Sequence, residues 1–236
     1  MTPLAKGCIA EYIGTFALVF FGAGAILMTA DSTGAAGSLV TVALAHGLVL
    51  GIFITGTMYI SGGQLNPAVS IGLMAIGKQT PAKTAAFVVS QLAAGACAAG
   101  MLVFVFTPEI ANTWDDLTKT GTNVGATMGQ FTHDGNVAGV LVLEALQTFA
   151  LMFVILTTAV DARTHKVGGL CIGFAVAVCI LAFGPMTGSS MNPARTFGPA
   201  LYGHWDMHWA YWVGPITGAV LAAGVYKFVW AEEESD

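Results

Sequence analysis

Charge is scarce in this chain. Only 9% of its 236 residues are Asp, Glu, Lys or Arg, against about a quarter in an ordinary soluble domain. So few charges leave the surface of a soluble protein of this length uncovered, which excludes that class. The eight basic residues form no patch, so the electrostatic footprint of a nucleic-acid partner is missing. Cysteine is equally sparse: Cys8, Cys97, Cys171 and Cys179 all fall in apolar stretches without metal-ligand spacing. They read as small buried hydrophobes and say nothing about redox compartment. No metal cluster, nucleophile–base pair or phosphate-binding loop is evident, so an enzyme or a cofactor has no residues to rest on.

What the chain has is apolar length. Hydrophobic residues make up 56% and mean hydropathy is +0.76. Long runs recur at about 8–30, 39–60, 82–106, 137–160, 167–183 and 209–230, each near the ~20 residues that cross a bilayer core. Two shorter pieces, 67–76 and 193–201, reach about half-way at ~1.5 Å per residue. The expected fold is therefore an all-α membrane protein with six transmembrane helices and two re-entrant half-helices. The first run is long for the core of a secretory signal and carries Glu11, so it reads as a span. With both termini in the cytoplasm, Lys6, Lys78, Lys83, Arg163, Lys166 and Lys227 all fall inside, leaving Lys119 outside, as the positive-inside rule asks. The tail 232–236 reads as a solvated end. Short loops point to a multi-pass protein of the cell (plasma) membrane, with a vacuolar membrane as the alternative.

The half-spans begin with the same triplet, Asn66-Pro67-Ala68 and Asn192-Pro193-Ala194, each after a Gly-rich turn. Asn caps free helix N–H groups, and Pro suits the first helical position, where no N–H is needed. Two such starts inside a membrane aim two positive dipole ends and two amides at one point. That arrangement admits hydrogen-bonding neutral molecules and opposes cations.

The triplets sit in a wider repeat. Glu11-Tyr-Ile-Gly-Thr-Phe-Ala-Leu aligns with Glu144-Ala-Leu-Gln-Thr-Phe-Ala-Leu at an offset of 133, and the triplets are offset by 126. Three spans per copy is odd, so the second copy enters from the opposite face, and inverted repeats hold their site near the midplane. One channel domain is expected over 1–236: a first repeat at about 1–106, a polar outer connection at about 107–136 and a second repeat at about 137–230. Gly47-xxx-Gly51 and Gly214-xxx-Gly218 read as close helix packing.

Duplicated Asn-Pro-Ala, the continuation Arg195-Thr-Phe-Gly-Pro199, the paired Glu-xxx-Thr-Phe and Trp212-Val-Gly-Pro215 together resemble the aquaporin (major intrinsic protein) family over essentially the whole chain. The resemblance implies a right-handed six-helix bundle assembled as a homotetramer, with one pore per subunit. Counted from the two boxes, the family's narrow outer filter falls on His46, Ile180, Ser189 and Arg195. A guanidinium within the membrane demands water and carbonyls around it, repels cations and offers donors to a small solute. His with Ile, a small residue and Arg is similar to tonoplast-type members, some of which also pass ammonia. Water is thus the expected permeant, with ammonia beside it.

A glycerol facilitator is the alternative within the family. However, Arg195 is followed by Thr196 where such members carry Asp. Gln64 departs from the family pattern, since many relatives have His near the first box, and this bears on gating through that loop. A proton-coupled transporter would use Glu11 or Glu144. Their symmetry, one per repeat, fits better with anchoring the loop before each half-helix, because a carboxylate there can accept unpaired backbone N–H groups. His133, just before the fourth span, is a candidate for the outer mouth. His165 is assigned to the cytoplasm, and His204 and His208 to the outer interface beside Trp205 and Trp209, with Trp230 at the other end.

Overall fold

The computed structural model describes residues 1–29, 38–120, 123–164, 167–203 and 205–230, with only the backbone for 107–120 and 123. His165, Lys166, His204 and the acidic tail lie outside the described residues. The elements in chain order are α1 (Pro3–Thr29), α2 (Leu39–Thr57), α3 (Pro67–Ala75), α4 (Pro81–Thr120), a single tight turn at Asn123–Gly125, α5 (Gln130–His133), α6 (Val137–Ile155), α7 (Gly168–Thr187), α8 (Pro193–Ala200) and α9 (Ala210–Val225). Wider π-type turns, Leu156–Val160 and Tyr226–Trp230, extend α6 and α9. Six of these helices are long and apolar enough to cross a membrane.

The bundle is apolar outside and partly polar inside. Phe104, Ile52, Val178 and Leu146 are each more than 60% exposed, whereas Glu11, Glu144 and Thr148 are fully buried. An apolar exterior over a hydrogen-bonded interior is what lipid requires, since polar groups facing hydrocarbon stay unsatisfied.

Helix pairing follows the repeat. α1 packs on α4 as α6 packs on α9, and α2 meets α7 across the two halves. Each half-helix then leans on the other half: α3 contacts α9, and α8 contacts α4. Glycine permits the closest crossings. A Cβ on Gly47 would lie 2.6 Å from the Gly173 carbonyl oxygen, and one on Gly51 would lie 2.9 Å from that of Gly169. Gly218 is pressed against the Ala145 carbonyl in the same way at the α6–α9 crossing. Both glycine pairs therefore serve contacts within the chain.

One boundary differs from expectation. The polar run from 107 reads as a loop, but α4 remains helical to Thr120. Polar side chains do not themselves end a helix, and although Pro108 removes one backbone donor, no glycine falls between Gly100 and Gly121. α2 stops earlier than its apolar run, at Thr57, because the chain must turn through Gly62 and Gly63, both at positive φ, to reach the first half-helix.

Candidate functional site

The two half-helices start as their sequences dictate. Asn66 Oδ1 accepts from Ala68 N at 2.9 Å, and Asn192 Oδ1 accepts from Ala194 N at 3.0 Å and Arg195 N at 3.3 Å. Pro67 and Pro193 occupy the first helical turn. With each oxygen used as a cap, each amide nitrogen faces the other half. Asn66 Nδ2 donates to the Met191 carbonyl at 2.7 Å, and Asn192 Nδ2 donates to the Leu65 carbonyl at 2.8 Å. These reciprocal bonds join the N-termini of α3 and α8 head to head.

To present those carbonyls, Leu65 and Met191 adopt left-handed φ values of 50° and 54°, strained for side-chain-bearing residues. Buried carboxylates hold the strained peptides. Glu11 accepts from Gln64 N at 2.9 Å, Leu65 N at 2.5 Å and Gln91 Nε2 at 2.8 Å. Glu144 accepts from Ser190 N at 3.0 Å, Met191 N at 2.8 Å and Thr187 Oγ1 at 2.7 Å. A carboxylate brings several acceptor sites to one place, which suits a loop whose N–H groups have no helix to join.

Both asparagines line a narrow cavity. The space within it open to the centres of water-sized particles is only about 20 Å³, little more than one water centre occupies. Its other polar lining comes from His46, Gln64, Ser189, Ser190 and Arg195, and its walls from aliphatic residues such as Leu18, Leu50, Val69, Leu151 and Val176. The passage is therefore narrow, mostly apolar, and polar at a few fixed stations.

Of the four filter candidates, His46, Ser189 and Arg195 line this cavity. Arg195 Nη2 lies 3.3 Å from His46 Nε2, although 149 residues separate them. His46 Nδ1 is bonded to the Val42 carbonyl at 2.9 Å, so that nitrogen carries the proton and Nε2 is left as an acceptor for Arg195. Ser189 Oγ donates to the Cys179 carbonyl at 3.2 Å, which turns its hydroxyl hydrogen away and leaves lone pairs. Ile180 is 3% exposed and belongs to the apolar core; the cavity lining on its helix is Val176 and Ile172.

His133 is exposed at the end of α5. The outer-connection residue that reaches Arg195 is Thr127, whose Oγ1 accepts from Arg195 Nη1 and pairs with Thr196 Oγ1 at 3.1 Å. Thr127 carries no motif, and the contact spans 68 residues, so no sequence signal marks it. Gly22 is another residue without a signal: a Cβ there would lie 2.5 Å from His46 Nε2, so its lack of a side chain makes room for the imidazole ring. His208 sits beside Trp205, ring centroids 4.4 Å apart, and accepts from Trp212 Nε1 at 3.1 Å.

Six spanning helices, two half-helices meeting head to head and a water-wide passage between them define a multi-pass membrane protein of channel architecture. The comparisons with known proteins agree on which one: the profile of the major intrinsic protein family matches residues 2–226, and the chain belongs to that family. It is 40% identical to aquaporin TIP4-4 of Zea mays over 229 residues, covering 94% of this chain and 85% of that protein. It is 38% identical to the probable aquaporin TIP3-2 of Arabidopsis thaliana, covering 95% and 83% respectively. Among solved structures, the aquaglyceroporin from Plasmodium falciparum superposes with a TM-score of 0.82 at 26% identity, over 96% of both chains.

Proposed function

We propose that this protein is a passive water channel that refuses protons and other ions. The observation that carries the reading is the pair of capping asparagines on one water-wide passage. Each spends one amide hydrogen on the opposite loop and has a second left for a passing water. A molecule held by two donors from opposed half-helices must turn its own hydrogens outward, which breaks the chain of hydrogen bonds a proton would follow. The positive ends of α3 and α8 add an electrostatic barrier to hydronium and metal cations. The aliphatic walls bind water weakly, so transit is fast and needs no energy source.

In this reading His46, Ile180, Ser189 and Arg195 form the outer filter. Arg195 repels cations and donates to water, His46 sets the width opposite it, Ser189 supplies an acceptor, and Ile180 backs the wall. Thr127 fixes the guanidinium. Glu11 and Glu144 anchor the re-entrant loops, a role supported by the three donors each carboxylate receives. His133, exposed at the end of α5, is assigned to the outer mouth. Ammonia is a second permeant, since it too is a small neutral molecule that accepts a hydrogen bond through a lone pair. Water is favoured over glycerol by Thr196, whose hydroxyl ties Ser190 and Thr127 together behind Arg195.

The whole of 1–236 works as one channel domain. Its apolar exterior suits a homotetramer in a lipid bilayer, with one pore in each subunit. Identity to TIP-type relatives supports a vacuolar membrane over the plasma membrane suggested by loop length. Stopped-flow shrinkage of proteoliposomes tests the reading. Water flux well above empty vesicles, with glycerol flux at the empty-vesicle level, is expected. Glycerol passing as readily as water would replace it with a solute facilitator.

A further inference from the structure

The outer station has a counterpart at the opposite end of the passage that neither the boxes nor the filter explains. Gln64 lines the narrow cavity and also the wide vestibule beyond it. That vestibule opens among Lys78, Lys83, Asp161 and Thr164, on the face where Arg163 bonds the Trp230 carbonyl. Gln64 thus stands where the passage widens.

Its carboxamide is held from three sides. Gln64 Nε2 donates to Gln79 Oε1 at 2.6 Å, Gln79 Nε2 returns a bond to Gln64 Oε1 at 3.3 Å, and Ser70 Oγ donates to Gln64 Oε1 at 2.5 Å. Gln79 also donates to Thr84 Oγ1 at 3.0 Å. Both glutamines are more than 90% buried. The amide inventory then closes in one way. Gln79 uses both its hydrogens within the network, whereas Gln64 gives one to Gln79 and has one left.

The repeat relation shows that this is a built position. The offset of 126 that relates the boxes carries Gln64 to Ser190 and Ser70 to Thr196. Ser190 and Thr196 hydroxyls are themselves paired, and Thr196 continues to Thr127, which holds Arg195. Each re-entrant loop therefore has an inward pair and an outside residue that fixes the donor presented to the passage. Thr127 does this for Arg195 at one end. At the other, Gln79 does it for Gln64, an uncharged donor.

We propose that Gln79 is a positioning residue that sets water permeability through Gln64, a neutral donor station at the inner end of the passage. Clasped, Gln64 offers one weak donor and stays against the wall. Unclasped, its carboxamide can rotate into a lumen only one water wide and hold a molecule there. The proposal rests on the water-channel reading above.

The test is a permeability cycle in proteoliposomes at matched protein density. Gln79→Leu is expected to lower water permeability about threefold to tenfold, the effect of one added net hydrogen bond on a transit barrier. Gln64→Ala removes the group through which Gln79 acts and sets its own baseline flux, to which adding Gln79→Leu should change nothing further. Glycerol exclusion stays intact in all three, because the outer filter is untouched. Equal losses from Gln79→Leu in both backgrounds would mark a structural role and overturn the proposal, as would no loss in either. Should Gln79→Leu fail to fold, Thr84→Val decides: it frees one Gln79 hydrogen, so a smaller loss that vanishes beside Gln64→Ala is expected, and a loss that persists overturns the proposal. A parent with no flux above empty vesicles would overturn the water-channel reading itself, a result distinct from a normal parent without coupling.

Discussion

Replacing Glu144 by glutamine changes one atom and tests how the second re-entrant loop is held. Glu144 Oε1 accepts from Ser190 N and Thr187 Oγ1, and Oε2 accepts from Met191 N. The amide keeps its oxygen where two donors converge, so its NH2 faces the Met191 N–H, donor against donor. One charge-assisted bond is lost and a buried N–H is left unpaired, at a cost of about 2–4 kcal/mol. For a chain of this length that lowers the apparent melting temperature by roughly 5–15 °C. Glu144→Ala costs more, since all three donors lose their partner. Fluorescence-detected thermal unfolding in detergent measures the shift, and stopped-flow shrinkage measures whether the folded fraction still conducts. Because Met191 presents its carbonyl to Asn66, loosening this loop should also lower water flux. A Glu144→Gln protein melting within a degree of the parent, with parental water flux, would refute the anchoring argument.

Two further outcomes follow from other parts of the molecule. His46→Ala combined with Arg195→Val removes both polar groups that meet at 3.3 Å and should admit glycerol or protons while leaving water flux intact; unchanged selectivity would show that the filter lies elsewhere. Asp161, at the end of the α6 turn, receives Arg163 Nε at 2.9 Å, Arg163 Nη2 at 2.6 Å and Tyr226 Oη at 3.2 Å, and the Arg163 contacts hold its carboxyl well below the ordinary aspartate value of 3.8. A lowered folded pKa stabilises above the unfolded value and fades as pH falls below it. The melting gap between parent and Asp161→Asn should therefore be constant from about pH 8 to pH 5 and narrow only in stronger acid; a gap that grows on acidification would reverse the sign of this argument.

The parts of the site that were legible in the sequence are those whose chemistry is local. An Asn followed by Pro inside an apolar run states its own capping role, so α3 and α8 could be read residue by residue, and the family resemblance, counted from the caps, implied His46 and Arg195. The repeat offset made Glu11 and Glu144 a pair before their partners were known. What could not be read was contact made by ordinary residues across long separations. Thr127 is one threonine among several in a polar segment, and only the folded chain lays it on Arg195. Gly22 is one glycine of 30, meaningful only because the His46 ring occupies the space beside it. Gln79 follows Lys78 in a short connection whose sequence suggests nothing but a turn. The run from 107 misled for a different reason: polarity signals exposure to water, and exposure does not end a helix.

The central claim is that the paired asparagines pass water while interrupting the proton file. Its most direct test measures both fluxes in the same proteoliposomes, with light scattering for osmotic shrinkage and an entrapped pH dye under an imposed proton gradient. The account predicts rapid shrinkage with dye acidification no faster than in protein-free vesicles. Acidification that rises with protein content alongside water flux would contradict it.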